Sequence, residues 1–360
     1  MYKILIVNLG GTSTKVALYE DETPALEVSL RHTDEELSLC ADNTAQIAMR
    51  KGAIMAWFQE NHVDLSGIDA AIFRMINTGG LCTTSGTYCI EGKLQTMLMK
   101  IYEQSFPKAA HPGLLAYPLL QELLNGHDVP VYAIDPDDVN EFSEVARVSG
   151  LPQFPRTCGI HMINQKAMAR KAAAALGKKY HEAKLVVAHL GGGVSIASHE
   201  NGRIVDSTHA VDEGPFAPTR CGTLSAVAVA KAIAKGELDP VSAIDIMHTK
   251  SGFVAHTGLS DIRQVEKKAE EGDANCELVL RAFIYQVCRY IGAQFAALNC
   301  EAEAIVLTGG IAYSKRITEA VSACVSKLAP VMIFPGEDES GAMIDRVLKV
   351  LRGEEEATPV

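Results

Sequence analysis

The sequence predicts an α/β protein built from two related domains. Buried strand patterns alternate with helical patterns along the chain, and one hairpin pattern occurs twice, roughly 180 residues apart. The length of 360 residues also predicts about two domains. No low-complexity linker separates the halves, so we expect a compact boundary near residue 150.

The first hairpin pattern lies at the start of the chain. Residues 4–7 form a continuous apolar, β-favouring run, and residues 15–19 resume a strand after a corner rich in small residues. The corner contains Gly10, Gly11, Thr12 and Ser13, and Lys15 follows it. Two strands around a Gly-Gly corner predict a hairpin.

The same pattern returns in the middle of the chain. Strand-like residues 184–188 and 194–198 enclose His189 and the glycines Gly191, Gly192 and Gly193. A third corner, Gly309-Gly310-Ile311, follows a buried strand pattern at residues 304–306. The repeated hairpin indicates a duplicated unit.

Helical periodicity is present at residues 164–176, 223–235 and 274–298. The last stretch, around Phe283 and Ile291, predicts a long apolar helix, either in a domain core or at an interface between subunits. We expect a first domain at residues 1–150, a second at 151–330, and a C-terminal helix at 331–360 that packs back on the first. The acidic tail after Gly353 is expected to be solvated and frayed.

Composition restricts the function classes. The chain has 33 Lys and Arg against 44 Asp and Glu, a formal net charge of −11, which disfavours nucleic acid as a partner. Nine scattered cysteines without a C-x-x-C pair indicate reduced thiols in a cytoplasm. No apolar run reaches the roughly 18–20 residues of a membrane span. We therefore expect a cytoplasmic protein with no membrane and no nucleic-acid partner.

Glycine corners suit phosphate binding because backbone N–H groups converge where no Cβ blocks the approach. The hydroxyls of Thr12 and Ser13 add donors, and Lys15 adds a positive charge. One such corner is weak evidence, but three of them, two in matching hairpins, predict a nucleotide site. The chain contains no G-x-x-x-x-G-K-[ST] motif, so this is not a P-loop.

Further candidates for chemistry are His111, Asp135, His161, Arg220 and the acidic run 337–339. Each has an ordinary structural alternative. For Arg220 the commoner alternative is a surface arginine. His161 is also consistent with a packed or capping side chain, and Asp135 with a turn before proline. The acidic run is also typical of a helix N-terminus, which the helix dipole favours.

The string of motifs resembles the acetokinase family, and within it most closely the butyrate kinase branch. The resemblance runs nearly end to end. Its most specific segments are R-V-S-G-L-P at 147–152, H-M-I-N-Q-K at 161–166, A-H-L-G-G-G at 188–193, E-G-P-F at 213–216 and R-C-G at 220–222.

This resemblance implies the fold of actin, sugar kinases and heat-shock ATPases, with two ribonuclease-H-like domains that flank a nucleotide cleft. It implies a transferase that reversibly phosphorylates a short-chain carboxylic acid, butyrate or a branched relative, to its acyl phosphate. The partners would be ATP or ADP with Mg²⁺, the fatty acid and acyl phosphate, and a second subunit in a homodimer or larger assembly.

The resemblance also implies residue roles. Asn8 would lie near the transferring phosphoryl group and the metal, and Glu339 would position Mg²⁺. Asp135 would orient the catalytic arginine or help hold the metal. His161 would bond the phosphoryl oxygens, and Arg220 would neutralise them. The remaining implied members are Arg74 and His111 on the acid side, Gly10, Gly11, Thr12, Ser13 and Lys15 in the first phosphate hairpin, His189, Gly191, Gly192 and Gly193 in the second, and Gly309, Gly310 and Ile311 at the adenosine.

Three positions depart from the family pattern. Gly11 stands where relatives have serine. Thr78 stands where butyrate kinases have an arginine, with Arg74 four residues upstream. Gly113-Leu114 replaces a polar Ser-Asn pair.

These departures support two hypotheses, an enzyme with a shifted acid preference or a weakened, non-catalytic nucleotide-binding paralogue with a regulatory role. A sugar kinase is a third, distant alternative, because it would need a carboxylate base that is not evident.

Overall fold

The chain divides into two compact units, described here one at a time. The computed structural model describes residues 1–109 and 111–360. The first unit contains residues 1–139 and 339–360, and the second contains residues 140–338. The contacts thus divide the chain at 139/140 and again at 338/339, and a boundary near residue 150 stays a prediction.

The first unit is built on a six-stranded mixed sheet of order β3-β2-β1-β4-β6-β5. Its strands are β1 (Lys3–Leu9), β2 (Ser13–Glu20), β3 (Thr23–Arg31), β4 (Ala70–Phe73), β5 (Thr87–Cys89) and β6 (Val131–Ile134). β1 and β2 form the predicted antiparallel hairpin, in which Asn8 lies opposite Lys15. The apolar run of β1 is buried, as a central strand requires.

The first unit also contains the helices α1 (Asp34–Leu39), α2 (Asn43–Glu60), α3 (Gly92–Gln104) and α4 (Ala116–Leu123), and α4 packs on β1 and β4. Asp42 caps α2 by accepting from the Ala45 N–H. The buried face of α2 carries Ile47 and Ile54 together with the fully buried Arg50.

The second unit is built on a five-stranded sheet of order β11-β10-β7-β8-β9. Its strands are β7 (Leu185–Leu190), β8 (Val194–Glu200), β9 (Arg203–Ser207), β10 (Ala304–Gly309) and β11 (Val331–Pro335). An antiparallel three-strand meander followed by a parallel strand occurs in both sheets, as β1-β2-β3 with β4 and as β7-β8-β9 with β10. The two related units expected from the repeated hairpin are present.

Helices of the second unit follow in chain order, and a last helix returns to the first unit. They are α5 (Glu144–Arg147), α6 (Met162–Ala175), α7 (Ala226–Ala234), α8 (Pro240–Thr249), α9 (Phe253–Thr257), α10 (Ile262–Glu270), α11 (Ala274–Ala297), α12 (Lys315–Val325) and finally α13 (Glu339–Leu351). α7 begins three residues later than the periodicity predicted because Ser225 caps it, accepting from the Ala228 N–H. None of the helices in the described ranges is long and apolar enough to cross a membrane.

α11 is a core helix, and this settles the two alternatives left open for it. Phe283 and Ile291 are fully buried in the main hydrophobic cluster of the second unit. The face around these residues is therefore not available for a partner subunit.

The C-terminal tail is not frayed, contrary to the expectation from its composition. The Thr358 N–H donates to the Thr87 carbonyl at 2.7 Å, and Arg346 pairs with Glu355 at 2.7 Å. The tail therefore adds backbone and ionic contacts to the first unit that acidic composition does not reveal.

A buried ion pair joins α6 to the segment that begins the second unit. Lys166 Nζ lies 2.6 Å from the Glu141 carboxylate, and both side chains are at most 3% exposed. Lys166 also donates to the Gly202 carbonyl, while Glu141 accepts the Ile204 N–H. These extra hydrogen bonds satisfy charges that burial would otherwise make very costly.

Replacement of this lysine tests how much the pair matters. Lys166→Met is expected to lower the free energy of unfolding by about 3–5 kcal/mol, because it leaves the Glu141 carboxylate buried without its cation. Denaturant unfolding measures the loss. As a control, Lys178→Met removes a half-exposed pair with Glu303 and should cost at most about 1 kcal/mol; equal losses in both variants would contradict the expectation.

Candidate functional site

The first glycine corner follows β1. The Gly10 N–H donates to the Ser13 carbonyl at 2.9 Å, which closes the turn between the hairpin strands. Gly11, Thr12 and Lys15 are exposed, while Ser13 is half-buried. The predicted donors of this corner therefore lie at the surface of the first unit.

Behind this corner lies Arg50, which sequence reasoning missed. One guanidinium nitrogen donates to the Ser13 carbonyl and the Thr14 hydroxyl, both at 2.9 Å, and the other to the carbonyls of Gly10 and Gly11 at 3.0 and 3.1 Å. Arg50 thus turns the corner's carbonyls towards a buried positive charge, which suits anion binding on the other side. The only sequence signal is an arginine within an apolar helical stripe.

Gly11 is not required by sterics. A Cβ at this position would meet no atom within 4 Å. A small side chain such as serine would therefore fit here without rearranging the corner.

Elsewhere in the first unit, Arg74 forms ion pairs with two carboxylates. Its Nε and Nη2 both lie 2.9 Å from Asp137 Oδ2, and its Nη1 lies 3.8 Å from Glu339, the first residue of α13. Burial raises the pKa of Asp137 to about 6, although Arg74 acts in the opposite direction. Asp137 is a site residue that the sequence reading missed within the run D-P-D-D, and the role predicted for Asp135 stays a prediction.

The oxygen donors here fit a magnesium ion. Asp137 Oδ1 is buried and makes no hydrogen bond, and the Glu339 carboxylate lies on the same arginine. Within the described residues no group of three or more His, Cys, Asp or Glu is placed to form a complete metal cage. Mg²⁺ commonly takes only one or two carboxylates and completes its shell with water and substrate phosphates, so this donor set is adequate. The roles predicted for Glu339 and Asn8 as ligands stay predictions.

His111 and the departures from the family pattern lie in loops of the first unit. His111 Nδ1 accepts the Gly113 N–H at 3.0 Å, and a Cβ at Gly113 would lie 3.1 Å from Ile76 carbons. Partial burial and the charge of Arg74 lower the pKa of His111. Thr78 donates its N–H and hydroxyl to Asp138 at 2.7 and 2.9 Å, so this position is occupied by a neutral, internally bonded side chain.

In the second unit, the corner between β7 and β8 brings two histidines together. His189, near the end of β7, is buried, and its ring stacks on His161 with centroids 3.7 Å apart and planes 14° apart. His161 lies at the N-cap position of α6 but makes no capping hydrogen bond with its side chain. Its ring instead contacts β8, where Nδ1 lies 3.0 Å from Ser195 Oγ.

Arg220 contacts the same corner. Its Nη1 donates to the Ala210 carbonyl at 2.8 Å, and a Cβ on Gly193 would overlap that same nitrogen. Gly193 is therefore a glycine because the guanidinium lies against its Cα. Burial lowers the pKa of Arg220 below its ordinary value, and the Asp212 carboxylate acts in the opposite direction. The structure thus brings Arg220 to the predicted second phosphate hairpin.

The third corner lies beside the second because β10 and β7 are neighbours in the sheet. Gly309 has a φ of +87°, and a Cβ there would overlap the Leu190 carbonyl. It also exchanges two backbone hydrogen bonds with Gly336. Only glycine allows this backbone to pass so close to the end of β7.

The two corners of the second unit share one cavity of about 610 Å³. Its lining includes Gly191 and Gly192 from one corner and Gly310 and Ile311 from the other. A volume of this size is in the range of small-molecule and cofactor sites. Glycines more than 100 residues apart in the sequence thus line one cavity.

Comparison with known proteins identifies the family of the chain. The acetokinase family model matches residues 153–330. Butyrate kinase 1 of Clostridium acetobutylicum is 36% identical over 360 residues, and a probable butyrate kinase of Bacteroides thetaiotaomicron is 38% identical over 355 residues. Each alignment covers 98% or more of both chains. The chain belongs to the acetokinase family.

Solved structures confirm the fold of this acetokinase family member. The acetate kinase of Porphyromonas gingivalis superposes with a TM-score of 0.79 at 18% identity, covering 98% of this chain and all of that one. A propionate kinase from Francisella tularensis gives 0.77 at 17% identity, covering 96% and 99%. The α/β, two-domain, actin-like ATPase fold predicted from the sequence is confirmed.

Several residues that line the 610 Å³ cavity were not predicted from the sequence. Pro218, Asp261, Arg263 and Tyr313 share the cavity with the glycine corners. The Arg263 guanidinium forms a fork with both oxygens of Asp261, at 2.7 to 3.2 Å. Asp261 and Arg263 lie at the start of α10, while Pro218 and Tyr313 come from distant parts of the chain, so only the tertiary structure brings them together.

A single methyl group tests the placement of Arg220. Gly193→Ala is expected to push the guanidinium off the corner without unfolding the protein, because the overlapping atom is the end of a flexible side chain. Acyl phosphate formation should fall about 100-fold, as small misplacements of catalytic groups do. Gly292→Ala on α11, where a Cβ meets nothing, is the control and should leave turnover intact. Full activity in Gly193→Ala would contradict this placement.

Proposed function

We propose that this acetokinase family member phosphorylates a short-chain carboxylic acid, butyrate or a branched relative, with ATP and reverses the reaction with ADP. Full-length relatives named as butyrate kinases support this proposal. The observation that carries it is the placement of Arg220 on the Gly193 corner, next to the stacked His161 and His189 and to the cavity. Nothing in these comparisons favours the non-catalytic alternative.

The chemistry needs positioning and positive charge more than covalent catalysis. An acid carboxylate is already a nucleophile at neutral pH, and the γ-phosphoryl group passes in line between two oxygens. Arg220 neutralises the equatorial oxygens, and His161 donates a hydrogen bond to them. When bound, Mg²⁺ would supply positive charge to the phosphate oxygens. Glu339, Asp137 and Asn8 are the residues that would hold it.

The adenosine and the phosphates of the nucleotide are assigned to different residues. The adenosine lies in the cavity of the second unit, against Gly310 and Ile311, with the phosphates on the 191–193 corner. In the first unit, the corner at Gly10 to Ser13, with Lys15, supplies further N–H and hydroxyl donors to phosphate. Arg50 gives this corner a buried positive charge.

The acid side is proposed from the first unit. Arg74, oriented by Asp137, binds the carboxylate, and His111 hydrogen-bonds the acyl phosphate. Ile76 and Leu114 are half-buried apolar residues in the same loops. Their apolar character and the neutral Thr78 favour an alkyl chain longer than that of acetate.

Hydroxylamine trapping of the acyl phosphate tests the activity. With ATP and Mg²⁺, turnover is expected on butyrate or isobutyrate, more than on acetate. Arg220→Ala should reduce the rate by about 10³–10⁵, the range of other phosphoryl-transfer arginines. Arg289→Ala, an arginine on α11 beside Tyr285 and Tyr290, is the matched control and should remain active. ATP binding without turnover on any acid would overturn the proposal in favour of the non-catalytic paralogue.

The proposal includes a cytoplasmic homodimer. All nine cysteines are free thiols, as a reducing compartment favours. α7 has an apolar sequence but buries none of its residues, and Val227, Val241 and Ile244 on α7 and α8 are each more than 60% exposed. An apolar surface of this kind is typical of an interface, and we assign it to a second copy of the chain.

Light scattering checks the assembly. The expected mass is twice 38.6 kDa, and Val227→Asp is expected to shift it to the monomer, because a charge in an apolar interface is costly. Val145→Asp, an exposed valine on α5, is the control. A wild-type monomer, or a dimer that survives Val227→Asp, would contradict the assignment.

A further inference from the structure

A chain of polar side chains runs from Tyr180 through the interior of the second unit to His161. Tyr180 OH lies 2.8 Å from His199 Nδ1, and His199 Nε2 lies 3.0 Å from Gln165 Oε1. Gln165 Nε2 lies 3.2 Å from Ser195 Oγ, which lies 3.0 Å from His161 Nδ1. Gln165, Ser195 and His199 are fully buried, so water does not compete for these hydrogen bonds.

We propose that this chain fixes His161 as the tautomer with its proton on Nε2, which makes Ser195, Gln165 and His199 positioning residues for phosphoryl transfer. The proposal rests on the proposed function, in which His161 donates a hydrogen bond to the phosphoryl group. None of the three residues was a candidate from the sequence. Their effect on the reaction passes entirely through the His161 ring.

Two backbone carbonyls determine the orientation of the Gln165 amide. Its Nε2 lies 3.0 Å from the Ser195 carbonyl oxygen and 3.4 Å from the Val187 carbonyl oxygen. An amide oxygen at that position would face two acceptors and repel both. The NH₂ group therefore points to β7 and β8, and Oε1 faces His199.

The orientation of Gln165 then determines the state of His199. Because Oε1 only accepts, His199 Nε2 must carry a hydrogen. Burial, with the nearby charges of Lys166 and Arg170, lowers the pKa of His199 well below its usual value and keeps the ring neutral. A neutral ring has a single N–H, so His199 Nδ1 accepts and the Tyr180 hydroxyl donates.

The same donor and acceptor argument applies to His161, which contacts Ser195. In the described part of the chain, Ser195 Oγ contacts only Gln165 Nε2 and His161 Nδ1. The Gln165 NH₂ group can only donate, so the serine hydrogen cannot point to it and is left for His161 Nδ1, which must accept it. A hydrogen on Nδ1 would instead leave the buried serine hydrogen without an acceptor, at a cost of about 1–3 kcal/mol.

The consequence for catalysis is that His161 donates its hydrogen bond from one defined ring nitrogen. With Nδ1 occupied as an acceptor, the hydrogen of neutral His161 lies on Nε2, the nitrogen that does not face Ser195. The stack on His189 restricts rotation of the same ring. His161 is thus prepared as a hydrogen-bond donor before substrate arrives, which costs no reorganisation during the reaction.

Histidine ¹⁵N NMR on the full-length protein tests the tautomer directly. The His161 signals are identified by their absence in His161→Gln. In the wild type we expect long-range couplings that place the hydrogen on Nε2, and in Ser195→Ala a mixture of both tautomers. The wild-type spectrum alone decides the tautomer, even if a variant folds poorly. A hydrogen on Nδ1 in the wild type would overturn the proposal.

Kinetics test the consequence. Ser195→Ala is expected to lower kcat about 10–100-fold, the usual effect of removing a partner that orients a functional histidine, with KM for ATP changed less than about twofold. The matched control is Ser198→Ala. Ser198 is a fully buried serine on the same strand, but it bonds Gln294 of α11 at 2.6 Å and takes no part in the chain.

The control separates a structural effect from a positioning effect. Ser198→Ala should lose stability but keep the His161 tautomer and kcat. Equal kcat in the two variants would overturn the positioning role. The NMR result does not depend on turnover, so it distinguishes a failure of this proposal from a wild-type protein that phosphorylates no acid.

Discussion

The candidate site of the second unit depends on glycines at the ends of β7 and β10. Because glycine has no Cβ, its backbone can lie directly against neighbouring atoms there. Gly309 lies against the Leu190 carbonyl, and Gly193 lies against the Arg220 guanidinium. Any side chain at either position would separate the strands' ends or displace the arginine. Because β7 and β10 are neighbours, these glycines place a cation, two histidines and a cavity at one edge of the sheet.

Several polar side chains are buried behind this edge. The Lys166–Glu141 pair and the chain from Tyr180 to Ser195 both anchor α6 to the sheet. Such networks contribute little net stability compared with apolar packing, but they tolerate few alternative arrangements. Here the gain is a fixed orientation of the residues at the start of α6, where His161 lies.

In the first unit, two arginines have different surroundings. Arg50 is fully buried and organises the corner after β1 through its carbonyls. Arg74 is partly exposed and lies between the carboxylates of Asp137 and Glu339. A Cβ at Gly11 would meet no atom within 4 Å, whereas one at Gly113 would lie 3.1 Å from Ile76 carbons.

By itself the sequence determined the α/β class, the repeated hairpin, the three glycine corners and the family, because buried strands, glycine turns and long motifs leave local signals. The frayed tail was predicted wrongly, since backbone bonds such as Thr358 to Thr87 have no signature in composition. Only the tertiary structure decided that Arg50 supports the first corner, that Asp137 pairs with Arg74, and that Ser195 lies within hydrogen-bond distance of His161. These contacts join residues far apart in the chain, and side-chain hydrogen bonds across such separations depend on packing that no local pattern encodes.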